Sequence, residues 1–269
     1  MRMMKMTLHP DPITPEPGVY FDVPWQEYVR WDAFSKSLVD PALRSARHLR
    51  RAQMERKKSA ALQFGSLVDC LLLDPGEYAD RYIEQPATYQ KIEASGRGAN
   101  RVEELVEKPW DLRSNTCREI KAQLEATGKT VVTADMKERA ENCAVAAQEH
   151  PEAADAIKNG QKQVSIVWLH ESGVLCKGRF DILHDGYIWD LKTTQDASPD
   201  AFAATVAKFG YHVQGGIYTE AYEKIMGKKL DWRFIAVEST DDEPWPEVAV
   251  YEMRSEEHTS ELQSRQSIS

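Results

Sequence analysis

The hydrophobic pattern changes period near the middle of the chain. In the first half, apolar residues recur at helical spacing. Leu38, Leu43 and Leu49 mark a helical stretch beginning at Ser35. Leu67, Cys70, Leu71 and Leu73 make Ala60–Leu73 a buried helix, stopped by Asp74-Pro75-Gly76. Residues 80–110 are polar and without sustained period, and Gly96 and Gly98 predict a loop there. Two more helices are expected near 111–126 and 133–149.

From Gln163 onward the period falls to two, with Val164, Ile166 and Trp168 alternating against Gln163, Ser165 and Val167. Strands are expected over 163–169, 174–183 and 187–193, divided by turns at 170–173 and at Asp185-Gly186. Ser198 as cap and Pro199 at the first position open a helix. Another runs over 211–226 to Gly227, and strands over 232–238 and 247–253 follow. The pattern predicts an α/β fold with a mixed central sheet flanked by helices and a helical N-terminal half.

With 269 residues the chain is long enough for one large domain. Residues 1–17, rich in Met and Pro, read as a flexible arm, and 18–253 as the domain. Residues 254–269 have no hydrophobic period and resemble the in-frame translation of a sequencing-adapter oligonucleotide. They are read as a non-native tail and carry no functional argument. No apolar run approaches the roughly 20 residues that a membrane helix needs, so no membrane partner is expected. The four cysteines, Cys70, Cys117, Cys143 and Cys176, form no C-x-x-C pair. That argues against a zinc ribbon or iron–sulfur cluster and suits reduced thiols in a cytoplasm.

A net charge of −9 weighs only lightly against nucleic acid, because binding depends on where positive charge lies. Over residues 44–58, seven basic side chains stand against one acid, Glu55. That stretch reads equally as a solvated helix face or a phosphate-tracking patch. Gly128-Lys-Thr130 has Gln123 where a phosphate-binding loop needs glycine, so ATP dependence is not indicated.

The chemistry gathers at the second turn. Asp-Gly between strands is a strong signal for a two-residue hairpin loop. With Asp185 and Gly186 as the loop, His184 faces Tyr187, Ile182 faces Trp189, and Asp181 faces Asp190. One strand face then carries Phe180, Ile182, Trp189 and Leu191, which suit a core. The other carries Arg179, Asp181, Asp190 and Lys192. Opposed carboxylates destabilise a hairpin unless a cation lies between them. Mg²⁺ suits such hard oxygen ligands. On this register Asp190→Asn should stabilise the metal-free protein, by a few tenths to about 1 kcal/mol. The alternative is an exposed charged face in another register.

Gly178-Arg-Phe-Asp181 followed by Trp189-Asp-Leu-Lys-Thr-Thr194 resembles the PD-(D/E)XK nuclease signature. Gln214-x-x-x-Tyr218 resembles the element that follows it in RecB-like nucleases. Phe34-Ser-Lys-Ser-Leu38, Phe64-Gly-Ser-Leu-Val68 with Leu71-Leu-Leu-Asp-Pro75, and Cys176-Lys-Gly-Arg-Phe-Asp181 are similar to the phage-derived exodeoxyribonuclease VIII (RecE-type) domain. Two positions depart from that pattern: Asp69 stands where the family usually has His, and Gln163 where many relatives have Glu.

The resemblance implies a PD-(D/E)XK core and hydrolysis of DNA by a processive exonuclease acting on double-stranded ends. Asp69, Asp181, Asp190 and the Leu191 carbonyl would hold Mg²⁺, with Mn²⁺ as substitute. Lys192 would position water or stabilise the phosphate, and Gln214 and Tyr218 would contact the phosphate or a metal-bound water. Asp69 on an apolar helix favours the site reading, because an unpaired buried carboxylate is costly, with an ordinary capped or paired acid as the alternative. Gln214 and Tyr218, taken alone, read as one face of an amphipathic helix. The resemblance further implies a single-strand annealing partner and a homo-oligomeric ring. The rival readings are a non-catalytic DNA-binding or assembly module on a decayed nuclease fold, and an endonuclease on the same core.

Overall fold

The computed structural model describes residues 11–54, 59–95, 102–239, 245–253 and 262–264. Among them an eight-stranded sheet forms the centre. Its strands run in the order Gly18–Tyr20, Gln161–Leu169, Leu175–His184, Tyr187–Thr194, Asp231–Glu238, Val248–Met253 and Leu262–Ser264, and Phe34–Ser35 pairs beside Cys176 and Lys177. Tyr187–Thr194 and Asp231–Glu238 are parallel, as are Phe34–Ser35 and Leu175–His184, while the other pairs of this sheet are antiparallel. A parallel step needs a long crossover. The helices Pro199–Phe209 and Tyr211–Met226 supply it between the first parallel pair.

Both faces of the sheet are covered, and the continuous apolar run Phe234 to Val237 in a central strand reflects it. On one face Ile182, Trp189, Leu191, Ile235 and Val237 pack against the helices Ala60–Leu73, Ala134–Glu149 and Pro151–Asn159. On the other, Val164, Phe180, Ile188, Trp232 and Phe234 pack against the crossover helices. Phe180 and Ile182 therefore lie in opposite cores, although strict alternation predicts one shared face. The shift occurs at Asp181. Lys162 pairs with Ile182 and Val164 with Phe180, and between them Gln163 takes a left-handed φ of 55°. Arg179 also leaves the expected carboxylate face: its Nη2 donates to the Val23 carbonyl at 3.0 Å. Beside it the buried Lys177 ammonium donates to the carbonyls of Tyr28 at 3.0 Å and Trp31 at 2.6 Å.

Two other regions, 80–110 and the stretch beginning at Ser35, differ from the sequence-based expectation. Residues 80–110 are not irregular: strands Thr88–Ser95 and Val102–Pro109 form an antiparallel ribbon, with 96–101 outside the described residues. Its polar composition reflects a ribbon standing away from the central sheet, where Ile92 and Leu105 are paired yet exposed. The stretch beginning at Ser35 breaks into a 3₁₀ turn Lys36–Leu38 and the helices Val39–Arg44 and Ala46–Met54. Arg44, Arg47, Arg50 and Arg51 are exposed there, while Arg56, Lys57 and Lys58 lie outside the described residues. Part of the expected N-terminal arm is fixed, because Ile13 bridges to Trp31 and packs beside Val23 and Tyr28. Leu262–Ser264, within the segment set apart as a tail, adds to the sheet edge at Val248–Met253. Among the described residues no helix is long and apolar enough to cross a membrane. All four cysteines are free and buried.

Candidate active site

The hairpin forms around the expected turn. Asp185 and Gly186 take φ of 47° and 81°, the left-handed pair that a type I′ loop requires. His184 faces Tyr187, Leu183 faces Ile188 and Ile182 faces Trp189. The backbone pairing ends at that step. Just beyond it the Leu191 N–H donates to Asp181 Oδ2 at 2.7 Å, so a side-chain oxygen takes the place of a ladder carbonyl.

Asp190 is buried, at 3% exposure. Gln214 Nε2, from the first turn of Tyr211–Met226, donates to Asp190 Oδ1 at 3.1 Å. Lys192 forms an ion pair with Oδ2. Its ammonium also lies 3.3 Å from the Leu191 carbonyl and 4.9 Å from the centre of the Tyr211 ring. Asp69 arrives from the far side on Ala60–Leu73, whose Leu67 and Val68 share a core with Ile182, Trp189 and Leu191. Its carboxylate feels both Asp190 and Lys192, and Arg81 besides. The structure thus brings Asp69, Asp181, Asp190, Leu191, Lys192 and Gln214 together.

Tyr218 sits deeper. It is buried among Phe180, Trp168 and Trp232, with ring centres 5.7, 6.3 and 6.0 Å away. Its ring lies under Gly178, where an added Cβ would come within 2.6 Å of Cε1. That contact explains the glycine in Gly178-Arg-Phe-Asp181. Gly178→Ala should destabilise the fold by about 1–3 kcal/mol through overpacking. Denaturant unfolding would measure it, and unchanged stability would mean that the Tyr218 ring is free to move aside.

The electrostatics of the cluster are set by burial and crowding. Burial pushes the Asp69 carboxyl up to about 6, with Lys192 opposing and Asp190 adding to the shift. Burial, then Asp69 and Asp190, hold Asp181 well above the usual carboxylate range. Asp190 is raised by burial against the pull of Lys192. Burial alone would lower the Lys192 ammonium, but the three carboxylates outweigh it and raise its pKa. A desolvated group of three acids and one ammonium favours uptake of positive charge, whether as protons or as a metal ion. The donors are hard oxygens, which fits Mg²⁺ or Mn²⁺. Against that fit, among the described residues no group of three or more His, Cys, Asp or Glu is arranged to hold a metal ion. Lys192, lying against Asp190, supplies the positive charge in this arrangement.

Three nearby residues escaped the sequence reading. Lys36 Nζ donates to the Phe209 carbonyl at 3.1 Å, and its charge is felt by Asp190 and Lys192. Its motif, Phe34-Ser-Lys-Ser-Leu38, was legible, but nothing in it showed where the ammonium would point. Arg81 lies in a polar stretch without periodic signal, and Tyr211 resembles any helix-start aromatic. Gln163 Oε1, at the position where an acid was wanting, accepts from Arg179 Nε at 2.8 Å.

The fold is similar to the crystal structure of a "putative exonuclease" from Eubacterium rectale. The identity is 17%, with 83% of this chain and 73% of that chain covered, at a TM-score of 0.50. At that identity the likeness speaks for the fold alone. No curated protein sequence matches the chain. The family described as "PDDEXK-like domain of unknown function (DUF3799)" matches residues 35–268, a span that holds the hairpin, Asp69 and Gln214. The chain belongs to this PDDEXK-like family, and its mixed sheet with flanking helices is the family's fold.

Proposed function

We propose that the protein is a metal-dependent DNA exonuclease acting on double-stranded ends, of the phage recombination kind that the exodeoxyribonuclease VIII likeness suggests. The observation that carries this reading is the convergence of Asp69, Asp181, Asp190 and Lys192, from a helix and two strands, on one desolvated cluster. Asp69, Asp181, Asp190 and the Leu191 carbonyl would hold Mg²⁺, with Mn²⁺ as substitute. When bound, the metal activates water and neutralises charge on the phosphate. The protein's own groups do the rest. Gln214 orients the Asp190 carboxylate through Oδ1. Lys192 keeps its proton among the carboxylates and so acts as a positioning and charge-stabilising group rather than a base. Tyr218 acts from below, by supporting the strand that carries Asp181. A single-strand annealing partner and a homo-oligomeric ring belong to the same proposal.

One observation favours a second reading, a non-catalytic DNA-binding or assembly module: the lack of a metal-holding trio among the described residues. The deciding experiment incubates purified protein with linear duplex DNA and with a covalently closed circle, each in Mg²⁺ and in chelator. Loss of the linear substrate alone, and only with metal, is expected. Cleavage of the circle would make the enzyme an endonuclease. Intact DNA in every arm, with binding retained, would favour the non-catalytic module.

A further inference from the structure

The helix Tyr211–Met226 does more than present Gln214. Ile217, Ala221 and Lys224 follow Gln214 at spacings of three and four residues, so they share its face. That face forms one wall of a cleft of about 540 Å³, which Phe34, Val39 and Trp168 line with it. With a rise of about 1.5 Å per residue, the cleft begins roughly 5 Å along the helix from Gln214 and continues for about two turns. Lys36 lines the same cleft, with its Nζ donating to the Phe209 carbonyl at 3.1 Å, and its charge is felt by Asp190 and Lys192.

We infer that this cleft is a nucleotide subsite, holding one unpaired deoxynucleotide of the strand being cut beside the scissile phosphate. The inference rests on the proposed nuclease reading. The volume lies within the range of small-ligand sites, about 300–1,000 Å³. It suits a single nucleotide, and a concave cleft of that size has no room for a duplex. Phe34, half-buried, offers aromatic surface to a base, with the small exposed part of the otherwise buried Trp168 beside it, and every base can stack. The charges assign the orientation. At the far end Glu171 and Glu220 accompany Lys224, so two acids stand against one ammonium. That end repels phosphate and suits a base edge. The phosphate belongs at the Lys36 end, next to Asp190. A strand entering the cleft must be unpaired there, so frayed or overhanging ends should be cut faster than blunt ones.

The test uses the thymidine dinucleotide pTpT, titrated calorimetrically into the full chain in chelator. Val174 lines the cleft and is 45% exposed, so Val174→Trp fills the space without crowding the core. Wild type should bind pTpT, and the variant should bind it about tenfold more weakly, as for loss of one stacked base. Circular dichroism checks that the variant is folded. A photoreactive 4-thiothymidine version should crosslink to the peptide containing Trp168. Linear-duplex digestion, run in parallel, separates the two claims: a cleft that binds pTpT in a protein without hydrolysis leaves the subsite standing and overturns the nuclease reading. Hydrolysis with no pTpT binding, with equal binding in Val174→Trp, or with crosslinks confined elsewhere overturns the subsite.

Discussion

Asp190→Asn should abolish hydrolysis of linear duplex DNA, by about a thousandfold or more, while the chain remains folded. The substitution keeps the shape that Gln214 holds and removes one of the charges on which cation binding would depend. Lys192→Ala should lose turnover to a similar extent but keep divalent-cation binding, because an ammonium is not a ligand. That divergence separates a metal-hydrolysis site from a cluster of surface charges. Wild-type rates in natively folded Asp190→Asn would end the assignment of this residue. The structure also revises the expected stability effect. Opposed carboxylates alone would make Asp190→Asn stabilising in the metal-free protein. With Lys192 buried against Asp190, the change instead weakens a charged hydrogen bond and should cost about 1–3 kcal/mol. Chemical unfolding in chelator distinguishes the two signs.

Divalent metal should stabilise the protein strongly. Burial raises the pKa values of three neighbouring carboxylates, and at Asp69 and Asp181 the neighbouring acids add to it, so the cluster favours a bound cation. A cation bound only by the folded state contributes about 2.7 kcal/mol at a hundredfold excess over its Kd. For a chain of this size that corresponds to a rise in Tm of roughly 5–10 °C. Calorimetry in Mg²⁺, Mn²⁺ and chelator reads it directly. The shift should be largely lost in Asp190→Asn and retained in Lys192→Ala. Asp69→Asn should raise Tm in chelator and reduce the gain from metal. A Tm that ignores Mg²⁺ and Mn²⁺ alike in folded wild type would favour the non-catalytic module.

The fold class was legible because its signals are local. Period-two alternation marked the strands, Asp185-Gly186 specified the turn, and Ser198-Pro199 and Gly227 bounded helices where they occur. The polar ribbon at 88–109 was missed because its apolar residues, among them Tyr89, Ile92, Leu105 and Val106, do not alternate with polar ones, so no period-two signal accompanies it. Pro151–Asn159 was also missed: the expected helix stops near 149, and this nine-residue segment buries only Ala153, Ala156 and Ile157, too few apolar positions to mark a second helix.

For the site, the residues themselves determined more than their surroundings did. The Asp185-Gly186 turn sets the register through Ile182 and Trp189, and so puts Asp181 and Asp190 at the end of the paired ladder with Lys192 two residues beyond. Three matters were decided only by tertiary structure. The alternation slips at Asp181, since Gln163 opposite it adopts a left-handed backbone that no pattern announces. Lys192 lies on Asp190 because helices cover both faces, and a buried ammonium takes the nearest charge. Asp69, Lys36 and Gln214 reach the hairpin from segments up to about a hundred and fifty residues away in sequence, brought there by packing of apolar faces. Spacing along a chain encodes neighbours on one element. Which elements meet depends on the sum of many weak hydrophobic contacts, and that sum exists only in the folded state.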